Sequence, residues 1–164
     1  MKKMLLAFLM MIALQVQGQC WKEAAAGAGH AAAIATDGKL WSWGWNFEHA
    51  LGYAYPTSYV PGKVNNDTDW KSVDTGDDYT VIQKNDGTIW CTGRKSFMQL
   101  AKTDGFNAPL SQVNMGNEWK SFSCSRNFVL FIKNDGTLWA WGADTNGNTG
   151  SGETANQAFL FPVP

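Results

Sequence analysis

The chain has 164 residues, with thirteen basic and fourteen acidic side chains and a formal net charge of −1 at pH 7. No basic patch breaks that balance, which argues against nucleic acid as a partner. Nine Trp, nine Phe and seventeen Gly point instead to rigid aromatic layers joined by glycine turns.

In chain order, the first predicted element is a signal peptide over residues 1–19. Lys2 and Lys3 precede the apolar run "MLLAFLMMIAL", Met4 to Leu14, followed by "QVQGQC". A charged start, a short apolar stretch and a small residue at Gly18 are the marks of a secretory signal. The run is too short to span a bilayer comfortably. Cleavage is expected after Gly18 or Gln19, which removes Lys2 and Lys3 and takes the net charge from −1 to −3. Lipidation at Cys20 fits less well, because Gln17 and Gln19 stand where small residues are needed. The expected location is secreted, periplasmic or on the cell surface.

From Trp21 onward the sequence repeats every 49 residues without a gap. Trp21, Trp70 and Trp119 open three units, each Trp followed by Lys. Asp37-Gly38, Asp86-Gly87 and Asp135-Gly136 recur at one offset, then Trp41, Trp90 and Trp139, then Gly44, Gly93 and Gly142. A repeat domain over 20–164 is predicted, with repeats 21–69, 70–118 and 119–164.

Each unit reads as β-structure. Asp-Gly between apolar runs is a strong hairpin signal, and a type I′ turn with both central residues at positive φ is expected. The strand before it is "HAAAIAT", "YTVIQKN" or "FVLFIKN", and the strand after it "KLWSWG", "TIWCTG" or "TLWAWG". A short strand at each opening Trp and another near "YVPGKV" bring the count to about four per unit. In "LWSW" both faces of the strand are largely apolar, so each sheet is expected to be stacked between others, with Trp139 buried. One small sheet cannot cover its own aromatic faces, so copies must stack. The predicted fold is all-β: three four-stranded β-propeller-type blades forming a partial or open propeller.

Particular residues say which kind of blade. "AAAGAGHAAAI" followed by "TDGKLWSWGWNFEHALG" resembles the regulator of chromosome condensation repeat family: small residues, Gly-x-x-His, an apolar strand, Asp-Gly, an aromatic, Trp-Gly, then Leu-Gly. Unit one carries Gly27, His30, Asp37, Gly38, Trp43, Gly44, Asn46, Leu51 and Gly52 of that pattern. Unit three keeps Trp141, Gly142, Gly147 and Gly150 but has Ser125 and Phe128 for Gly and His. Unit two keeps Gly76, Gly93, Gln99 and Leu100 but has Tyr79, Thr92 and Ala101 for His, Trp and Gly. The resemblance implies blades of a closed seven-bladed ring, of which this chain supplies three, either as an arc, as a fragment or as a protomer that completes a ring with other copies. Members of the family exchange nucleotide on a small nuclear GTPase, inhibit secreted enzymes, sense light or bind other partners. An export signal argues against the nuclear role.

Residues that look chemical read mostly as structural. His30 shares its repeat position with Tyr79 and Phe128, so bulk matters there more than proton transfer. His49 sits in a loop where the pattern expects Gly. With two His and no Cys-x-x-Cys there is little from which to build a zinc site. The stretch Asp144 to Glu153 fails as an EF-hand, because Thr149 and Ala155 occupy positions that need Gly and Glu. Ser151 lacks the outer glycines of a nucleophile elbow. Cys91 and Cys124 fall at small strand positions, either as free packed thiols or as a disulfide between neighbouring blades. The sequon Asn66-Asp67-Thr68 has meaning only in a eukaryotic host.

Repeated positions explain the fold, whereas positions that differ within equivalent loops are free to carry specificity. Loop 45–61, "WNFEHALGYAYPTSYVP", gathers Trp45, Phe47, Tyr53, Tyr55 and Tyr59, with His49 among them; Arg94 is the unit-two counterpart of Trp45. Exposed Trp and Tyr are typical protein-binding anchors and sugar platforms. The expectation is a non-enzymatic protein without cofactor or metal that binds another protein through these loops. The alternative is a carbohydrate-binding module using 45–61, and self-association to complete the propeller is a further expectation.

Overall fold

A computed structural model describes residues 18–54, 56–94, 108–153 and 157–164. Nearly all of the expected signal peptide 1–19, together with Tyr55 and the pattern residues Gln99, Leu100 and Ala101, lies outside the described residues.

The first sheet contains β1 (Trp21–Ala26), β2 (His30–Ala35), β3 (Leu40–Gly44) and β4 (Ser58–Lys63). The second contains β5 (Trp70–Thr75), β6 (Tyr79–Lys84), β7 (Ile89–Gly93) and β8 (Ala108–Val113). The third contains β9 (Trp119–Cys124), β10 (Phe128–Lys133), β11 (Leu138–Gly142) and β12 (Gln157–Pro162). Each sheet is a meander whose strands pair antiparallel in chain order. The only helical turn among the described residues is a 3₁₀ turn, Phe47–His49. The chain is therefore all-β, three propeller blades in succession.

Alternation along each strand sorts side chains onto two faces. One face looks back toward the preceding blade and is here called leading; the other is trailing. Blade 2 is covered on both. Its leading Trp70, Val73 and Ile82, with Trp90 beside them, pack against the trailing Ala32, Ile34 and Leu40 of blade 1. Its trailing Tyr79, Val81, Ile89, Cys91 and Val113 pack against Trp119, Val129, Phe131 and Trp141 of blade 3. The stacking inferred from "LWSW" is thus complete at blade 2. Blade 1 has no neighbour on its leading face and blade 3 none on its trailing face among the described residues.

Polar groups pin the stack. The Tyr79 hydroxyl lies 2.7 Å from Ser125 O and 2.8 Å from Phe128 O. Gln83 donates to Trp119 O at 2.7 Å. Asp74 accepts from the Cys124 amide at 2.6 Å, and Glu23 from the Val73 amide at 3.4 Å.

Two expectations need correction. First, Trp139 is half-buried; the deeply buried Trp of its unit are Trp119 and Trp141, each 2% exposed. The Trp139 ring stands edge-on to Trp119, with centroids 6.3 Å apart, and Lys133 Nζ lies 4.3 Å from its centre. It caps the layer rather than filling it. Second, the Asp-Gly turns are not type I′. Ile34 pairs with Leu40 and the Ala35 amide bonds Lys39 O, so the loop is Thr36-Asp37-Gly38. Only Gly38 has positive φ, at 79°. This is the three-residue hairpin, a tight turn followed by a left-handed glycine. Asp fits its position because its carboxylate accepts the amide two residues on, as Asp86 does from Thr88 at 2.9 Å and Asp135 from Thr137 at 2.9 Å.

Cys91 and Cys124 are not joined to each other, so the disulfide alternative is not formed. Burial, followed by the nearby Asp74 carboxylate, pushes the Cys124 thiol well above its ordinary range.

Candidate protein-binding loop

The connection after β3 is built on one asparagine. Asn46 accepts the Leu51 amide at 2.9 Å and donates to Tyr53 O at 2.9 Å, which closes the loop on itself. Ala50 and Leu51 plug its base at 1% exposure each. Two blade 2 hydroxyls then hold it from the side: Thr92 donates to His49 O at 2.7 Å and Thr80 to Ala50 O at 2.9 Å. Between these anchors Glu48 and His49 sit at φ 59° and 65°. Two successive non-glycine residues in the left-handed region are a strained arrangement, and such strain collects at functional sites.

That clamp leaves a small aromatic surface outside. Trp45 is 58% exposed and Phe47 47% exposed. Their rings pack at 5.4 Å with a 38° tilt, so the pair is held in place before any partner arrives. His49 is exposed beside them. β4 begins opposite Gly44, which brings Tyr59 to the same end of the sheet, 93% exposed. Tyr53 differs: it is half-buried and its hydroxyl donates to Ser42 O at 3.1 Å. A cleft of about 510 Å³ opens between Tyr53, Pro56, Ser58 and Lys63. Arg94 is also committed, its guanidinium 3.3 Å from Asp78 and its amide bonded to Asp78 O. The structure therefore brings Trp45, Phe47 and His49 into one patch, with Tyr59 at the same end, and leaves Tyr53 and Arg94 as supporting residues.

Sequence reasoning passed over several exposed apolar side chains, among them Val60 at 67%, Phe159 at 76% and Trp21 at 41%. Val60 and Phe159 stand on the fourth, edge strand of a blade, a position the repeat pattern could have signalled.

The equivalent loop of blade 3 keeps the closure without the aromatics. Asp144 takes the place of Asn46 and accepts from the Thr149 amide, the Thr149 hydroxyl and, at 2.8 Å, the Ser151 hydroxyl. Burial opposes its charge, but these hydrogen bonds hold the carboxyl below its usual range. The oxygens that a calcium loop would need are spent on closing the turn. His30 is equally committed: it is 5% exposed, with Nε2 2.9 Å from the Thr80 hydroxyl across the blade boundary. Burial lowers its pKa, with the Asp78 charge pulling the other way.

Four-stranded antiparallel blades, stacked face to face and carrying variable loops at one end, define a propeller-repeat protein. Family models described as the regulator of chromosome condensation (RCC1) repeat match residues 37–83, and residues 21–49 and 119–148. The chain belongs to this repeat family. No curated protein sequence matches it. Among solved structures it is similar to human WBSCR16, with a TM-score of 0.79 and 21% identity over 92% of this chain and 39% of that one. It is also similar to Prp20p from Saccharomyces cerevisiae, with a TM-score of 0.76 and 20% identity over 88% of this chain and 38% of that one. The chain thus spans less than two fifths of the length of these neighbours, and the likeness is one of fold.

Proposed function

We propose that this is an exported, non-enzymatic protein that binds another protein through its blade loops, with loop 45–49 as the principal contact. The observation that carries this reading is the exposed Trp45–Phe47 pair on a loop fixed by Asn46 and by blade 2. A preformed aromatic anchor loses little conformational freedom on binding, which favours affinity. The neighbours support a protein partner: Prp20p is described with binding properties toward Gsp1p and histones, and in a second structure Kap60 is bound to yeast RCC1 (Prp20). Export rests on the Lys2-Lys3 and Met4–Leu14 pattern. N-terminal sequencing of the released protein is expected to begin at Gln19 or Cys20, and retention of Met1 would overturn it.

The decisive experiment replaces both anchors, Trp45→Ala with Phe47→Ala, and compares quantitative capture from a cell-surface extract with a glycan array. Loss of an anchor costs on the order of 2 kcal/mol, roughly thirtyfold in affinity. The expected outcome is specific protein capture that the double variant loses at unchanged melting temperature. Undiminished capture would place the functional face elsewhere. Array binding that depends on the same residues would support the carbohydrate reading, for which the Trp45–Phe47 pair and Tyr59 supply stacking surface.

A further inference from the structure

The outer strand of blade 1 leaves its ladder at one point. Ser42 faces Gly62 and Gly44 faces Ser58, so Tyr59, Val60 and Pro61 together stand opposite Trp43 alone. A bulge of this kind bends its strand and re-aims the side chains around it. Tyr59 and Val60 are turned outward, 93% and 67% exposed. The Tyr53 hydroxyl comes in from the loop and donates to Ser42 O at 3.1 Å. The cleft of about 510 Å³ lies beside this bulge, and its described lining comes from residues 53–64 alone. A single blade therefore builds it.

Register separates what the fold needs here from what it does not. Val64, at one end of the lining, has Val113 and Val163 in the same place of blades 2 and 3. Gly62, by contrast, corresponds to Ser111 and Phe161, and Lys63 to Gln112 and Pro162. No positive φ requires glycine at 62. What it provides is room, since a Cβ there would lie 3.0 Å from the Tyr53 hydroxyl oxygen. Blade 1 thus leaves space where blade 3 places an aromatic residue, and sets a cation beside that space where the other two blades have none.

The groups around the space are specific in charge. Lys63 is exposed and forms no ion pair among the described residues. No carboxylate lines the cleft among them. The Ser58 hydroxyl already donates to Val60 O at 2.7 Å, whereas the Thr57 hydroxyl has no hydrogen-bond partner among the described residues. One ammonium and one uncommitted hydroxyl suit a singly charged acceptor. A phosphate is best met by a guanidinium fork or several cations, and here a single ammonium lines the cleft. Tyr53, Pro56 and Val64 supply an apolar wall, and a volume of a few hundred Å³ is ordinary for a small-ligand site.

We propose that this cleft binds an apolar or aromatic carboxylate, its charge held by Lys63 and Thr57 and its body laid against Tyr53 and Val64. A free arylalkyl acid and the C-terminal residue of a peptide offer the same chemistry. The site uses neither Trp45 nor Phe47, so it and the loop reading fail separately.

Amide NMR spectra of the folded chain, titrated with phenylpropionate and with its neutral amide, test this. The acid should shift the amides of Thr57, Gly62 and Val64 saturably and leave those of Trp45 and Phe47 in place. It should bind about tenfold more tightly than the amide, as expected when a charge-assisted hydrogen bond is lost. Lys63→Gln installs the blade 2 residue at an exposed position and should remove that preference at unchanged melting temperature. Gly62→Phe installs the blade 3 residue and should abolish binding of both; if it fails to fold, Thr57→Val beside Lys63→Gln carries the test. A short peptide ending in Phe, with a free or an amidated terminus, identifies the source. Tighter binding of the free-terminus peptide than of phenylpropionate marks a chain end and weaker binding a free acid, and both support the carboxylate site. Absence of any saturable shift with acid or peptide overturns the proposal. So does equal affinity for acid and amide, or a Lys63→Gln variant that keeps the preference.

Discussion

At the scale of single residues, equivalent tryptophans do unequal work. Trp119 is enclosed by Phe131 and Trp139 and its indole donates to Met115 O at 3.1 Å. Trp119→Ala is expected to cost about 3–5 kcal/mol, read by chemical denaturation. Trp21→Ala removes a half-open side chain and should cost clearly less, and equal losses at the two positions would mean that Trp21 is core after all. Lys84 shows how the capping Trp is kept in place: its Nζ lies 4.7 Å from the Trp70 ring and 4.9 Å from the Trp90 ring while pairing with Asp67 and Asp69. Lys133 repeats this in blade 3, whereas blade 1 has Ala35 at that position. His30 yields a pH dependence. Its folded pKa lies below the ordinary 6.5 because of burial, so below that pH the unfolded chain binds the proton more readily. The stability linked to this group is complete above about pH 6.5 and is lost as pH falls toward the depressed folded value. Melting temperature should therefore drop between pH 7 and pH 5, and His30→Phe, which installs the blade 3 residue, should flatten that drop. An identical slope in the variant would clear His30 of the effect.

At the scale of elements, the hairpin tips serve as locks between blades. A Cβ on Gly38 would lie 2.0 Å from Thr68 O, and one on Gly87 2.3 Å from Asn117 O, whereas at Gly136 it would meet nothing. All three have positive φ. Gly136→Ala should thus cost only the left-handed strain, about 1–2 kcal/mol, and Gly87→Ala distinctly more because the backbone cannot yield. Equal melting shifts would show that the tip of blade 2 does not press on the entry to blade 3. These tips also show where the sequence was legible. Period, strand count and hairpin positions all follow from Trp and Asp-Gly recurring in register. The turn type did not, because Asp-Gly suits two loops and only the Ala35–Lys39 pairing decides between them. The candidate loop was half legible. Its aromatic excess marked Trp45 and Phe47, but nothing in "WNFEHALGY" says that the hydroxyl of Tyr53 turns inward to Ser42 or that Arg94 is held by Asp78. Those outcomes depend on backbone atoms that only the folded sheet brings near.

At the scale of the whole molecule, depth is set by neighbours rather than by residue type. Repetition revealed which positions matter but not how many atoms lie over each, which is why Trp139 looked like core and proved to be a cap. Among the described residues blade 2 alone has both faces covered, so amides of β6 should exchange with solvent more slowly than those of β2 or β10. Equal protection across the three blades, measured by hydrogen exchange, would mean that the stack opens as one unit. The uneven covering has an optical consequence as well. Trp70, Trp119 and Trp141 are sealed, while Trp45 and Trp21 face water, one on the loop and the other on the first sheet. A dissolved quencher such as iodide should dim this open pair most and the three sealed Trp least. A partner at the loop would shield Trp45, and anything covering the leading face of the first sheet would shield Trp21. Single Trp→Phe replacements at these two positions would therefore make one fluorescence titration report which event has occurred, without any label being added.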